Sequence, residues 1–240
     1  MTQFLTTQAV QPQVISAQLR TPHAVLWDMD GTLIDSEPYW QQAETDLVQA
    51  GGGRWTLEDA LALVGGDLHH AASVLQQAGA RGTVEEIVNY LVTTVSTRIR
   101  ANVPWREHAL ETLTSLADNG VPCALVTMSH GPIAQAFLDS VPDHVFSAVV
   151  TGDSVTHGKP HPEPYLTAAT LLDVDITHCI AVEDSHTGIT AARSSGARTI
   201  CIESVLPLHD FSDLSRITTL RQLTPAALDV IMHGGRIDYY

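Results

Sequence analysis

Four short unbroken apolar runs organise the chain, at 24–28 (AVLWD), 123–127 (CALVT), 179–184 (CIAVED) and 199–203 (TICIE), and each closes on an acid or a hydroxyl residue. A fifth and weaker run, FSAVV, lies at 146–150. Runs that are apolar without alternation are the mark of strands buried on both faces, as in parallel sheets. Helical patterns precede the later runs, so strands and helices alternate. That order predicts an α/β fold, a parallel sheet with helices on both faces. Residue types capable of chemistry gather where the strands end, which is where open parallel sheets bind ligands.

The alternation breaks between 37 and 102, where three or four helical patterns occur and no convincing strand. The patterns at 37–50, 56–64 and 83–101 run into Gly51-Gly52-Gly53, Gly65-Gly66 and Pro104, the glycine and proline stops expected of helices. A helical insertion directly after the first strand predicts an all-helical cap domain over 37–102, with core segments at 22–36 and 103–235. Two chain crossings, at 36–38 and 101–104, would be its hinges. Residues 1–21 read as a polar, poorly ordered tail with neither the positive start nor the long apolar stretch of a secretory leader.

Composition narrows the functional classes. The 240 residues carry 27 Asp and Glu against 12 Lys and Arg, a formal charge of −15, and no basic run. A nucleic-acid partner is therefore not expected, because gripping phosphate backbone needs clustered cations. No apolar stretch approaches the roughly 18 residues of a membrane span, so no membrane partner is expected either. Cys123, Cys179 and Cys201 each sit in an apolar run and read as reduced core thiols, which predicts a cytoplasmic location. Of the 12 cations, 11 are arginine and one, Lys159, is lysine.

Four clusters could carry chemistry. Asp28 and Asp30, in Asp28-Met29-Asp30-Gly31-Thr32, leave a strand end two residues apart and with the same facing; they are either a nucleophile and its acid–base partner or a plain acidic turn. The glycine comes too early for a calcium loop. Thr127, followed by Met128, Ser129 and His130, is either part of a phosphate site at a strand-to-helix junction or a helix cap. Lys159 lies in His157-Gly158-Lys159-Pro160-His161-Pro162, where a compact ammonium suits a phosphoryl oxygen in a small pocket. Pro160 separates His157 from His161, which argues against their sharing a metal. Glu183 and Asp184 are adjacent acids at the end of a buried strand, holding a magnesium ion between them or standing solvated in a capped turn.

Taken in this order, the four clusters resemble the haloacid dehalogenase-like hydrolase superfamily over about residues 22–205, with Asp28-Met29-Asp30-Gly31-Thr32, Thr127, Lys159 and Glu183-Asp184 as its four motifs. Gly158-Lys159-Pro160-His161-Pro162-Glu163-Pro164 is similar to the branch of phosphoglucomutase-like and sugar-phosphate phosphatase members. The resemblance implies a Rossmann-like core with a helical cap and a covalent aspartyl-phosphate mechanism. It implies Asp28 as nucleophile, Asp30 as acid and base, and Thr127 and Lys159 as holders of the phosphoryl group. Mg2+ would be bound by Asp28, the Asp30 carbonyl and Asp184, with Glu183 adjacent. Ser129, Gly66 and His69 are further candidate substrate contacts, with His69 and His70 alternatively capping a helix.

Within the family, a halide leaves without a proton, so Asp30 argues for phosphoryl transfer. Phosphonate hydrolysis in this family needs a cap lysine, and 37–102 contains none. A phosphomutase needs a cationic clamp for a distal phosphate, yet the expected specificity loop 63–70 (LVGGDLHH) has neither Lys nor Arg. The expectation is a monomeric Mg2+-dependent phosphatase acting on a small phosphorylated metabolite, a sugar or polyol phosphate. The alternatives are a β-phosphoglucomutase-type phosphotransferase and, from another class, a catalytically silent binding protein of the same fold.

Overall fold

The computed structural model describes residues 21–240 apart from Leu206 and Leu208; the tail expected at 1–21 lies almost wholly outside the described residues. Six strands form one sheet: β1 (Ala24–Trp27), β2 (Cys123–Val126), β3 (Phe146–Val150), β4 (Cys179–Glu183), β5 (Arg198–Ile202) and β6 (Ser215–Ile217). They are ordered β3-β2-β1-β4-β5-β6, and every neighbouring pair is parallel. The chain builds outward from β1 in one direction and from β4 in the other. The crevice at the carboxyl ends of β1 and β4 is therefore the switch point at which doubly wound sheets bind ligands.

Four helices follow the first strand within the insertion, α1 (Glu37–Ala50), α2 (Leu57–Leu61), α3 (Leu68–Gln77) and α4 (Val84–Ala101). Five follow: α5 (Ala109–Asp118), α6 (Gly131–Leu138), α7 (Glu163–Leu171), α8 (His186–Ser195) and α9 (Pro225–Met232). Every residue of β1, β2 and β4 is buried, which explains their unalternating sequence. Their side chains still divide by face. Val25, Trp27, Leu125 and Val182 meet α5, α6 and α9, whereas Ala24, Ala124 and Ala181 lie toward Tyr165 and Ala168 of α7 and Ala191 and Ala192 of α8. Small residues on that second face let α7 and α8 sit close to the strands whose ends they serve.

The helices of the insertion start where side chains satisfy their free N–H groups. Thr56 and Thr83 complete capping boxes with Asp59 and Glu86, and Asp67 accepts from the His70 N–H. The Asp67 cap corrects the expected loop at 63–70: the chain is already helical from Leu68. The insertion rests on the core along α4 and α6. One apolar cluster continues from Leu91, Val95 and Ile99 into Ile133 and Phe137, and Arg100 pairs with Asp139 at 3.8 Å. The edge strand β6 went unexpected because Ser-Arg-Ile is too short and polar to announce itself. It is completed from the C-terminal stretch, where Asp238 bridges to Arg216 and accepts from its guanidinium at 2.9 and 3.1 Å.

Candidate active site

β1 and β4 run in register, Trp27 beside Val182, so the next residues, Asp28 and Glu183, meet at the mouth of the crevice. After Asp28 the chain folds into a tight turn closed by the Gly31 N–H donating to the Ile34 carbonyl at 2.8 Å. Gly31 takes φ +84°, and a Cβ there would stand 2.0 Å from Asp184 Oδ2. Only glycine both adopts that backbone and admits the Asp184 carboxylate. Gly188, in the first turn of α8, does the same for Glu183, since a Cβ would lie 1.9 Å from its Oε1. Arg106 fastens the turn from outside, donating to the Gly31 and Glu203 carbonyls at 2.5 and 2.6 Å.

Lys159 is buried, with Nζ donating to Asp28 Oδ1 at 2.6 Å, Glu183 Oε1 at 2.6 Å and the Val126 carbonyl at 2.9 Å. Its three N–H bonds are thereby all used, and it joins the ends of β1, β2 and β4. Tyr165, fully buried on α7, donates to Glu183 Oε1 at 2.7 Å. The loop carrying Lys159 is held on one side by its own N–H donating to Met128 Sδ at 3.0 Å. On the other side Glu163 accepts from the Thr156 and His157 N–H groups at 2.7 and 3.1 Å. His157 and His161 face Glu163 at the exposed end of this clip, at 2.8 and 3.9 Å.

The electrostatics are unbalanced. Asp28, Glu183 and Asp184 bring carboxylate oxygens within 4.8 Å of one another, all buried, against the single Lys159 ammonium. Burial and then Glu183 push the Asp28 carboxyl well above the usual range, with Lys159 opposing. Burial and Glu183 likewise raise Asp184 to about 8. Burial alone would depress Lys159, but Asp28 and Glu183 more than reverse that and keep it charged. Surplus negative charge in a water-poor pocket of oxygen donors suits a hard divalent cation such as Mg2+. The donors are not equivalent. Glu183 Oε2 already accepts from the Asp184 N–H at 3.1 Å and its Oε1 from Lys159 and Tyr165. Among the described residues Asp184 takes the Thr32 hydroxyl, at 3.3 Å, and a Ser204 hydrogen bond. No hydrogen bond occupies Asp28 Oδ2 among the described residues.

Asp30 sits apart from that cluster. Its Oδ1 accepts from Ser36 Oγ at 2.5 Å and Trp40 Nε1 at 3.4 Å, and its Oδ2 from Ser129 Oγ at 2.8 Å and Thr127 Oγ1 at 3.3 Å. Four donors thus fix the direction of one carboxylate. Thr127 also accepts from the Ser129 N–H at 2.9 Å, so it shapes the turn after β2, while the N-cap of α6 is His130.

Above these groups lies a cavity of about 70 Å³ between insertion and core, lined by Asp28, Asp30, Ser129, Lys159 and Gly66 among others. Thr127 is fully buried beneath it, and His69 turns away to Glu85 at 3.3 Å and to the His130 ring. Sequence reasoning missed Glu37, Trp40 and Glu44 of α1, which also line the cavity. It missed Tyr165 and Ser36 too, which carry no motif of their own.

A family model for haloacid dehalogenase-like hydrolases matches residues 25–202. The chain belongs to this family. Among its relatives, hexitol phosphatase B of Escherichia coli (strain K12) is 29% identical over 213 residues, 84% of this chain and 94% of that one. The fructose-1-phosphate phosphatase YqaB of the same organism is 31% identical over 182 residues, covering 72% of this chain and 92% of its own. The crystal structure of β-phosphoglucomutase from Clostridium difficile shares the fold, with a TM-score of 0.76 at 18% identity over 89% of this chain and 98% of that one. The matched segment of this haloacid dehalogenase-like hydrolase takes in the ends of β1, β2 and β4 and the loop before α7.

Proposed function

We propose that this hydrolase is a Mg2+-dependent phosphatase that cleaves a small phosphorylated metabolite, a sugar or polyol phosphate, through an aspartyl phosphate on Asp28. The carrying observation is the Asp28 carboxylate, which lines the cavity with Oδ1 held by Lys159 and Oδ2 without a hydrogen bond among the described residues, two residues from the oriented carboxylate of Asp30. Similarity to the two sugar-phosphate phosphatases supports the substrate class.

Asp28 Oδ2 attacks phosphorus and forms the acyl phosphate as the bond to the leaving oxygen breaks. Asp30 gives that oxygen its proton, then takes one from the water that attacks the acyl phosphate, releasing inorganic phosphate and restoring Asp28. In-line displacement sets attacking and leaving oxygens on opposite sides of phosphorus, which is why two carboxylates are needed. Lys159 offsets the charge of the phosphoryl group, and the Ser129 hydroxyl is placed to contact it. Asp28 and Asp184, with the Asp30 carbonyl, would hold Mg2+, and Glu183 would orient them. When bound, the ion supplies positive charge that lets a carboxylate approach an anionic ester.

At about 70 Å³ the cavity is well below the roughly 300–1,000 Å³ of small-molecule pockets. In this reading residues 37–102 are a cap that swings from the core at 36–38 and 101–104 to admit the ester and closes to exclude water. Among the described residues Lys159 is the only Lys or Arg lining the cavity, so a bisphosphorylated sugar finds no second clamp there and the phosphomutase reading is disfavoured. The three buried, unpaired cysteines fit a reducing cytoplasm. The test is phosphate release from p-nitrophenyl phosphate and a hexitol phosphate. Turnover with Mg2+ and none with excess chelator is expected; equal rates in both would overturn the magnesium requirement.

A further inference from the structure

Two buried carboxyl groups face the cavity without serving phosphoryl transfer. Glu37 opens α1, is 8% exposed, and makes no side-chain hydrogen bond among the described residues. Glu44 stands two turns further along the same helix face, 5% exposed; its Oε2 accepts from Trp55 Nε1 at 3.1 Å and its Oε1 from nothing described. Trp40 lies between them on that face and also lines the cavity. Burial raises Glu37 to about 8, helped by the charges of Asp30 and Glu44, and raises Glu44 to about 7.

Polar groups this buried are costly unless a partner completes them. Among the described residues no cation in the cavity does so, because Lys159 is committed to Asp28 and Glu183. Above about pH 8, where both are ionised, the missing partner is a hydrogen-bond donor brought by the ligand. A second phosphate or a carboxylate in this place would meet two acids and no cation. A hydroxylated carbon chain meets acceptors for its hydroxyls in Glu37 and Glu44, and Trp40, Leu63 and Leu68 for its carbons.

We propose that Glu37 and Glu44 determine substrate specificity, accepting hydrogen bonds from hydroxyls on the non-reacting end of the ester and rejecting esters with a second anionic group. This rests on the phosphatase reading and narrows it to neutral polyhydroxylated monophosphates.

The experiment, run at pH 9 so that both carboxyls are ionised, compares kcat/KM for a hexitol phosphate, an amino-sugar phosphate, phosphoglycolate and a hexose bisphosphate, in the wild type and in E37Q, E44Q and the double variant. Ratios within one variant cancel any loss of folded protein. The wild type is expected to favour the hexitol phosphate over both doubly anionic esters by about 100-fold. In the double variant, whose amides keep hydrogen-bonding capacity but lose charge, that preference is expected to fall about tenfold or more, chiefly through a lower KM for phosphoglycolate. Equal wild-type kcat/KM for the hexitol phosphate and phosphoglycolate overturns the inference, as does an unchanged ratio in the double variant. Tenfold preference for the amino-sugar phosphate overturns the commitment to hydroxyls. Absence of phosphate release from every ester, p-nitrophenyl phosphate included, overturns the phosphatase reading and this inference with it; release without discrimination overturns this inference alone.

Discussion

Lys159 holds Asp28 and Glu183 apart from their mutual repulsion, at 2.6 Å to each. Removing the ammonium leaves buried carboxylates unpaired, so Lys159→Met should cost about 3–5 kcal/mol in chemical denaturation without metal. Asp28→Asn removes a charge that burial already disfavours. That variant should therefore keep or gain stability without metal while losing turnover, so stability and activity part company between the two. Glu44 gives the pH dependence. Its carboxyl is raised from 4.5 to about 7, so the folded state holds a proton that the unfolded chain has lost. The stabilisation is complete below about pH 4.5 and is lost as pH rises to about 7. Glu44→Gln keeps an acceptor for Trp55 and carries no such penalty. Its stability relative to wild type should grow across that window to about 2 kcal/mol, allowing for relaxation of the site; a flat difference from pH 5 to 8 contradicts the burial argument. Asp28, Asp30, Lys159, Glu183 and Asp184 were legible in sequence because each ends a buried run or stands out by residue type. Glu37 and Glu44 were not, because a glutamate on an amphipathic helix looks solvated until the face it occupies is known.

At the level of elements, the insertion touches the site through the turn between α2 and α3. Thr187 Oγ1 on α8 donates to the Gly65 carbonyl at 2.9 Å, and Gly65 takes φ +71°. A Cβ on Gly65 would stand 2.7 Å from Thr187 Oγ1 and 2.8 Å from Ser185 Oγ. Gly65→Ala is therefore expected to lift this turn off α8 and lower kcat/KM for a sugar phosphate by about tenfold or more, with the fold kept by circular dichroism. Unchanged kinetics would show that the turn need not close on α8. The parallel sheet was readable because strands covered on both faces lose their alternation. The exact start of α3 was not, since Asp67 decides it and an acid after two glycines reads equally as loop. Contact of the turn with α8 joins residues 122 apart, a pairing that no local pattern encodes.

Across the whole molecule, the charge of −15 opposes the approach of an anionic ester. Screening shortens that repulsion from about 30 Å at 0.01 M salt to about 8 Å at 0.15 M. kcat/KM for a dianionic ester should thus rise with salt over this range, and a steep fall would reveal an attractive patch instead. Part of the acidity belongs to the proposed site: Asp28, Asp30, Glu37 and Glu44 line the cavity, and Asp28 clusters with Glu183 and Asp184. One chemical claim underlies all of this, that Asp28 forms the covalent bond to phosphorus. The most direct measurement is phosphate release from a hexitol phosphate by Asp28→Asn against wild type, both with Mg2+ and both shown folded. The account predicts a loss of at least about 1000-fold in kcat, and an Asp28→Asn enzyme within a few-fold of wild type would contradict it.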